Sequence, residues 1–282
     1  SLPSTVFVKL APFDAAQRRF VNEVGMGVSE ARFFRDLSGE IGLRVPRPIF
    51  ADFETATEPG ADQYVMVLED LEAAGCRFPT PEDTDIEFRA RNIVEELARF
   101  HARYWSSPRF APGGDLAWLA PRGTARGDGG AMFVQMAVNG YTDRLPDGFR
   151  TLADLYLARS VDVVALYREG RATLVHGDVH LGNLFVDGER TGFLDWALVG
   201  YAPGMRDVAY VLTNSIPVDV RRTHERELIE RYCALLGEHG VELDFDAAWE
   251  QYRLFAVYSW TADACTIGMG AKGEAQAEIC YV

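Results

Sequence analysis

Cysteine is sparse in this chain. Cys76, Cys233, Cys265 and Cys280 are scattered over 282 residues with no Cys-x-x-Cys spacing, which excludes a disulfide scaffold and argues for a reducing, cytoplasmic setting. Long apolar runs are missing as well. No stretch of eighteen or more apolar residues occurs, and the first residues lack the charged start and apolar core of a signal peptide, so neither a membrane span nor export is expected. Positive charge is in deficit: 28 Lys and Arg stand against 42 Asp and Glu, for a formal charge of −14. Such a balance argues against charge-driven binding to nucleic acid or to an anionic membrane. Only five histidines are present, and no internal repeat or low-complexity tract appears.

What is there is enough apolar material, 48% of residues, for one large domain or two lobes with separate cores. Thr5 to Leu10 reads as a strand with Val6 and Val8 on one face and Phe7 and Lys9 on the other. Phe20, Val24, Val28, Ala31, Phe34 and Leu37 then recur at steps of three or four, which predicts one helix from Asp14 to about Ser38 that carries Glu30. Ile49 to Phe53 and Tyr64 to Leu68 read as strands, and Glu69-Asp70-Leu71 as a connector. Beyond it the spacing turns helical, with stripes Ile93, Leu97, Phe100, Tyr104 and Leu152, Leu155, Arg159, Val163, Leu166. The Gly- and Pro-rich stretch from Ala111 to Gly130 reads as irregular. Leu174-Val175, Leu184 to Val186 and Thr191 to Leu194, with the turn Asp187-Gly188, read as strands of one small hairpin around the segment His176 to Asn183. This order predicts an α+β chain: a small mixed lobe over 1–68, a hinge over 69–71 and a larger helical lobe over 72–282, with a nucleotide in the cleft between them.

The segment His176-Gly177-Asp178-Val179-His180-Leu181-Gly182-Asn183, followed by Leu194-Asp195-Trp196, carries the chemistry. Four residues separate Asp178 from Asn183, the spacing of a kinase catalytic loop, and a further carboxylate follows on the next apolar segment. Phosphoryl transfer asks a protein to orient the acceptor hydroxyl and to neutralise phosphate charge. Asp178 is the candidate for the first task. Asn183 and Asp195 offer the hard oxygen donors that hold Mg²⁺. Lys9 would pair with the ATP phosphates and Glu30 would hold Lys9. His176 reads as a structural histidine that bonds the loop backbone, and His180 likewise.

These residues, with Asp207-Val208-Ala209-Tyr210, resemble the signature of the aminoglycoside phosphotransferase and choline kinase superfamily. Glu30-Ala31-Arg32-Phe33-Phe34, Val67 to Leu71 and Leu97 to Trp105 are similar to its ecdysteroid-kinase-like branch, also called CHK kinase-like. The resemblance runs from Val6 to about Tyr258. It implies a protein-kinase-like two-lobed fold, Asp178 as catalytic Asp, Asn183 and Asp195 as metal ligands, and Lys9 with Glu30 as the phosphate anchor. It further implies that backbone groups of Glu69 and Leu71 contact adenine, and that Asp207 braces the catalytic loop. Two departures are plain. Only eight residues precede Lys9, too few for the Gly-rich phosphate loop such kinases carry, so the small lobe reads as truncated. Trp196 follows Asp195 where a protein kinase has Phe-Gly, which makes a small-molecule hydroxyl the better acceptor than a protein.

A steroid-like or hydroxyacyl alcohol is slightly favoured by the branch, with aminoglycoside and choline-like acceptors open. Tyr201, Tyr258, Trp260 and Asp263 are candidates for the acceptor pocket, although Trp249, Tyr252, Phe255 and Tyr258 recur at the spacing of a core stripe. Two other classes remain as alternatives. His176, Asp178 and His180 alternate and could approach a zinc ion in a hydrolase; a chain without a phosphate loop could also be an inactive nucleotide-binding pseudokinase.

Overall fold

The computed structural model describes residues 3–58, 60–120, 129–141 and 145–268. Strand β1 (Val6–Leu10) is followed by helices α1 (Ala15–Glu23) and α2 (Met26–Arg32), a π-helical turn at Phe33–Leu37, and strands β2 (Pro48–Glu54) and β3 (Gln63–Glu69). The three strands form an antiparallel sheet in the order β1-β3-β2, with Lys9 opposite Met66 and Val6 opposite Glu69. Then come α3 (Ile86–Tyr104), α4 (Gly129–Gly140), α5 (Asp147–Leu166) and β4 (Ala172–Val175). Strands β5 (Leu184–Asp187), β6 (Arg190–Phe193) and β7 (Gly200–Pro203) precede helices α6 (Met205–Ser215), α7 (Val218–Glu238) and α8 (Phe245–Gly268). A small β-rich part thus precedes a larger helical one, the mixed α+β order expected from the sequence.

The helix expected over Asp14 to Ser38 is broken in two. Asp14 caps α1 by accepting from the Gln17 amide at 2.8 Å, but Gly25 takes a left-handed φ of 69°, which a helix interior cannot contain and which glycine adopts without a Cβ penalty. The π turn that follows adds one residue per turn, so adjacent Phe33 and Phe34 are both buried. The result matters for the site: α2 is re-aimed so that Glu30 sits inside, 2% exposed, while Phe33 stacks on Trp196 at 4.1 Å with rings 6° apart.

The second difference concerns the small strands. β5 and β6 pair as a hairpin through Asp187 and Arg190, with Gly188 at φ 62° in the turn. β4 does not join them. It pairs antiparallel with β7, Leu174 opposite Tyr201, because Gly200-Tyr201-Ala202-Pro203 has no alternating pattern to announce a strand and finds its partner only through the tertiary fold. α5 is kinked at Arg159, φ −133°, which accounts for its impure stripe. Of the stretch expected to be irregular, residues 111–120 are so, Gly129 and Gly130 instead open helix α4, and 121–128, like Cys280, lie outside the described residues.

One core runs from the small sheet through α3, the catalytic segment and α6 to α8, and a second joins α4, α5 and the end of α8. Trp196 is fully buried at the junction, between Phe33, Phe100 and His176. Burying about 200 Å² of indole contributes roughly 5 kcal/mol before entropy is counted. The aromatic stripe of α8 behaves as core: Tyr252 and Phe255 are buried in it, with Trp249 and Tyr258 packed against it.

Candidate active site

The catalytic segment leaves the buried strand β4 and is pinned at once. His176 is fully buried; its Nε2 donates to the Leu194 carbonyl at 2.9 Å and its Nδ1 accepts from the Asp178 amide at 3.2 Å. Burial pushes its pKa down despite Asp207 and Asp178 nearby, so the ring is neutral and both nitrogens are committed to backbone. A zinc site on His176, Asp178 and His180 is therefore not built, and among the described residues no three His, Cys, Asp or Glu side chains group around a metal position. Asp207, 1% exposed, accepts from the His176 amide at 2.7 Å and the Gly177 amide at 3.1 Å. Gly177 has φ 92°, and a Cβ there would lie 2.1 Å from the Leu198 carbonyl oxygen. The loop is held where only glycine fits.

Asp178 comes next, its side chain partly exposed. Its Oδ2 accepts from Asn183 Nδ2 at 3.1 Å and lies 3.7 Å from His180 Nε2. Burial would raise its carboxyl, but His180, His176 and the Tyr210 hydroxyl outweigh that and hold it below the ordinary carboxylate range. His180 uses Nδ1 to accept from the Gly182 amide at 3.1 Å. Burial would lower its pKa, yet Asp178 and the acidic neighbours Asp195 and Asp263 raise it on balance. Asn183 also donates to the Asp178 carbonyl at 3.0 Å. Both protons of its amide nitrogen being directed at Asp178 turns Oδ1 the other way, free to meet a cation.

The same site draws in the small lobe. Lys9 Nζ lies 2.6 Å from Glu30 Oε2 and 3.4 Å from Asp195 Oδ1, closing a gap of 186 positions in sequence. Burial would lower the Lys9 pKa; Glu30 and Asp195 reverse that and keep it protonated. Burial pushes Glu30 up to about 7, with Lys9 opposing. Asp195 stands in a left-handed conformation, φ 58° and ψ 71°, uncommon for a non-glycine residue and a mark of a position held by its surroundings.

A cavity of about 670 Å³ opens here, lined by Lys9, Glu30, Asp195, Gly182 and, on its apolar side, Phe7, Phe34, Pro46, Leu68 and Phe78, with Glu69 and Leu71 at its rim. That volume is in the range of nucleotide-sized sites. The Glu69 amide is committed to the Arg47 carbonyl at 2.9 Å, so of the two backbone groups only its carbonyl can serve a base. Its carboxylate grips Arg44 through both oxygens, at 2.9 and 3.1 Å.

The structure therefore brings Lys9, Glu30 and Asp195 together in one cavity that Glu69 and Leu71 also line, and joins Asp178 to Asn183 in the adjoining loop, neither of them among the lining residues. Residues that sequence reading missed are Arg44, Pro46, Phe78 and Tyr210. Pro46 and Phe78 lie in segments to which the spacing assigned no element, and Tyr210 was only part of a motif. Of the acceptor-pocket candidates, Tyr201 stacks on Phe110 at 5.1 Å and Trp260 packs between Phe149 and Tyr156, whereas Asp263 has His180 as its nearest charged influence.

Known proteins of this shape share little sequence with the chain. The microcompartment-associated aminopropanol kinase superposes with a TM-score of 0.58 at 15% identity, covering 98% of this chain and 81% of that one. The choline kinase LicA from Streptococcus pneumoniae gives 0.56 at 14% identity, over 98% and 83% of the two chains. The amicoumacin kinase hAmiN, solved with AMP-PNP, Ca²⁺ and Ami, gives 0.57 at 16% identity over 91% and 75%. These likenesses establish the fold. No curated protein matches in sequence. The family model described as APH, phosphotransferase enzyme family, matches residues 4–255, and with the catalytic segment, the Lys9–Glu30 pair and the kinase-like fold inside that match, the chain belongs to the APH phosphotransferase family.

Proposed function

We propose that this protein transfers the γ-phosphoryl group of ATP to a hydroxyl of a small molecule. The observation that carries the reading is the convergence of Lys9, Glu30 and Asp195 within 3.4 Å at the mouth of a nucleotide-sized cavity, beside an ionised Asp178 bonded to Asn183. Asp178 accepts, or at least orients, the proton of the acceptor hydroxyl. Lys9, fixed by Glu30, pairs with the phosphates. The Glu69 carbonyl and the Leu71 backbone face the adenine. Asn183 Oδ1 and the half-exposed Asp195 carboxylate suit Mg²⁺, being hard oxygen donors with open sides. The ion, when bound, neutralises phosphate charge. The lobes divide at residues 69–71, and the protein works in the cytoplasm.

For the acceptor, the likeness of Leu97 to Trp105 and neighbouring segments to the ecdysteroid-kinase-like branch favours an apolar, steroid-like or hydroxyacyl alcohol. A second reading, an amine-bearing alcohol, is favoured by Asp263. Its carboxyl forms no salt bridge with any described residue, and burial pushes it up to about 7; a cationic acceptor would supply the missing charge.

Calorimetric titration with ATP tests the core of the proposal. Binding is expected to strengthen with Mg²⁺, and Asp195→Ala to lose the Mg²⁺-dependent part. Asp178→Asn is expected to keep nucleotide affinity and lose phosphate transfer to a panel of alcohols by a factor of about 10² to 10⁴. Full activity of that variant on a true acceptor rules out Asp178 as the base.

A further inference from the structure

Residues 107–120 follow α3 and are fastened to both lobes. On the large lobe the Phe110 ring stacks on Tyr201 of β7 at 5.1 Å with the planes 17° apart, and the Ala120 carbonyl accepts from the Tyr201 amide at 3.2 Å. Between these two points Leu116 and Leu119 are buried in the main core. On the small-lobe side Arg109 grips Asp115 of its own segment through Nε at 3.0 Å and Nη2 at 2.7 Å, while its Nη1 donates to Glu40 Oε1 at 2.7 Å. The same Glu40 oxygen accepts from the Tyr104 hydroxyl at 3.1 Å. A guanidinium engaged by two carboxylates has a fixed orientation, so the segment is a strap and not a free loop.

From this strap Trp118 reaches α2, the helix that carries Glu30. The Arg32 guanidinium carbon lies over the Trp118 ring, 4.7 Å from its centroid, within the range of a cation–π contact. Arg32 is the last residue of α2, two positions after Glu30. Its Nε stands 3.6 Å from Asp36 Oδ2, too far for a hydrogen bond, and is buried without a hydrogen-bond partner. The next residue, Phe33, is stacked on Trp196. Adjacent residues at the end of α2 are thus each seated on an indole of the large lobe. The helix needs such support: it has seven residues and starts at a left-handed Gly25 with no side-chain cap, and a helix this short is held by packing and not by its own hydrogen bonds.

We infer that Trp118 is a positioning residue for the nucleotide phosphates: by holding Arg32 it fixes the end of α2 from which Glu30 reaches Lys9 at 2.6 Å. This rests on the reading of Lys9 as the phosphate anchor. Trp118 is not among the residues that line the nucleotide cavity, so it acts through Glu30.

Trp118→Leu removes the ring face and keeps apolar bulk. Its Kd for MgATP, measured by calorimetry, is expected to rise about three- to tenfold, and Trp118→Phe, which restores a ring face, to return within about twofold of the parent. In a Glu30→Gln background Trp118→Leu is expected to cost nothing further, because the carboxylate it positions has gone. An unchanged Kd in Trp118→Leu, a Phe variant as weak as the Leu variant, or an equal loss in the Glu30→Gln background each overturns the inference while leaving the anchor reading in place. A parent protein that does not bind MgATP, or a Glu30→Gln variant that binds it as tightly as the parent, overturns the anchor reading and the inference with it. Should Trp118→Leu not fold, Arg32→Met tests the same contact from the other side, since it keeps the stem and removes the cation. It is expected to weaken MgATP by a similar factor, and an unchanged Kd overturns the inference.

Discussion

Lys9 shows how burial and charge compete at a single residue. Alone on a strand a lysine is a solvated edge group, and burial works against its charge. Glu30 on one side and Asp195 on the other reverse that balance. Asp263 is the opposite case. Burial raises its carboxyl to about 7, and His180 pulls it back only in part. The folded state then holds this proton more tightly than the unfolded chain does. Its contribution to stability is full below the ordinary carboxylate pKa of about 4 and is lost as pH rises through about 7. Between pH 5 and pH 8 the parent protein is therefore expected to lose about 1 to 3 kcal/mol relative to Asp263→Asn. Urea denaturation of both proteins at the two pH values checks this; parallel profiles would show that Asp263 titrates as an ordinary surface carboxyl.

Among the elements, the pairing of α6 with the catalytic loop governs the site. Asp207 is fully enclosed and takes two backbone amides, and His101 Nε2 lies 3.5 Å from its Oδ2. Burial would raise its carboxyl; His101, Arg206 and His176 hold it low, so it stays charged. Replacing it with Ala leaves the two buried N–H groups of His176 and Gly177 without their acceptor. The expected loss is about 3 to 5 kcal/mol, with the amides of His176 and Gly177 exchanging faster than those of β5 and β6. Hydrogen exchange read by residue separates this from global unfolding, and an unchanged exchange pattern would refute the brace. The sequence quoted Asp207 only as part of a motif, and the contacts of α6 with the His176, Gly177 and Leu181 amides were not legible, because local spacing states which face is buried and not what lies against it.

In the whole molecule, Arg44 ties the small β-rich lobe to the larger helical one. Arg44 holds Glu69 at the cleft rim with both oxygens and Asp187 in the β5–β6 turn at 2.7 Å, while the Arg44 carbonyl accepts from the Phe193 amide. Nothing in the spacing of Arg44, Glu69 and Asp187 announces this, since Arg44 stands 25 residues before Glu69 and 143 before Asp187. Arg44→Ala is expected to lower stability by about 1 to 3 kcal/mol and to weaken ATP binding several-fold, because Glu69 lines the cavity. Chemical denaturation and calorimetry measure both; if neither changes, the clamp carries no energy. No helix among the described residues is long and apolar enough to cross a membrane.

By itself the sequence determined the coarse order, strand and helix first and then mostly helix, and singled out the carboxylates and the amide of one short loop. Periods of two and of three to four residues report local burial, and the Asp178-to-Asn183 spacing is a property of one short loop, so both are written in neighbouring residues. It also named Lys9 and Glu30, through a resemblance. Only the tertiary structure decided that Gly25 breaks the first helix, that β4 pairs with β7, that Lys9 meets Asp195, and that Arg44 reaches Asp187. Each of these depends on contacts between distant segments, where packing and backbone pairing override local preference.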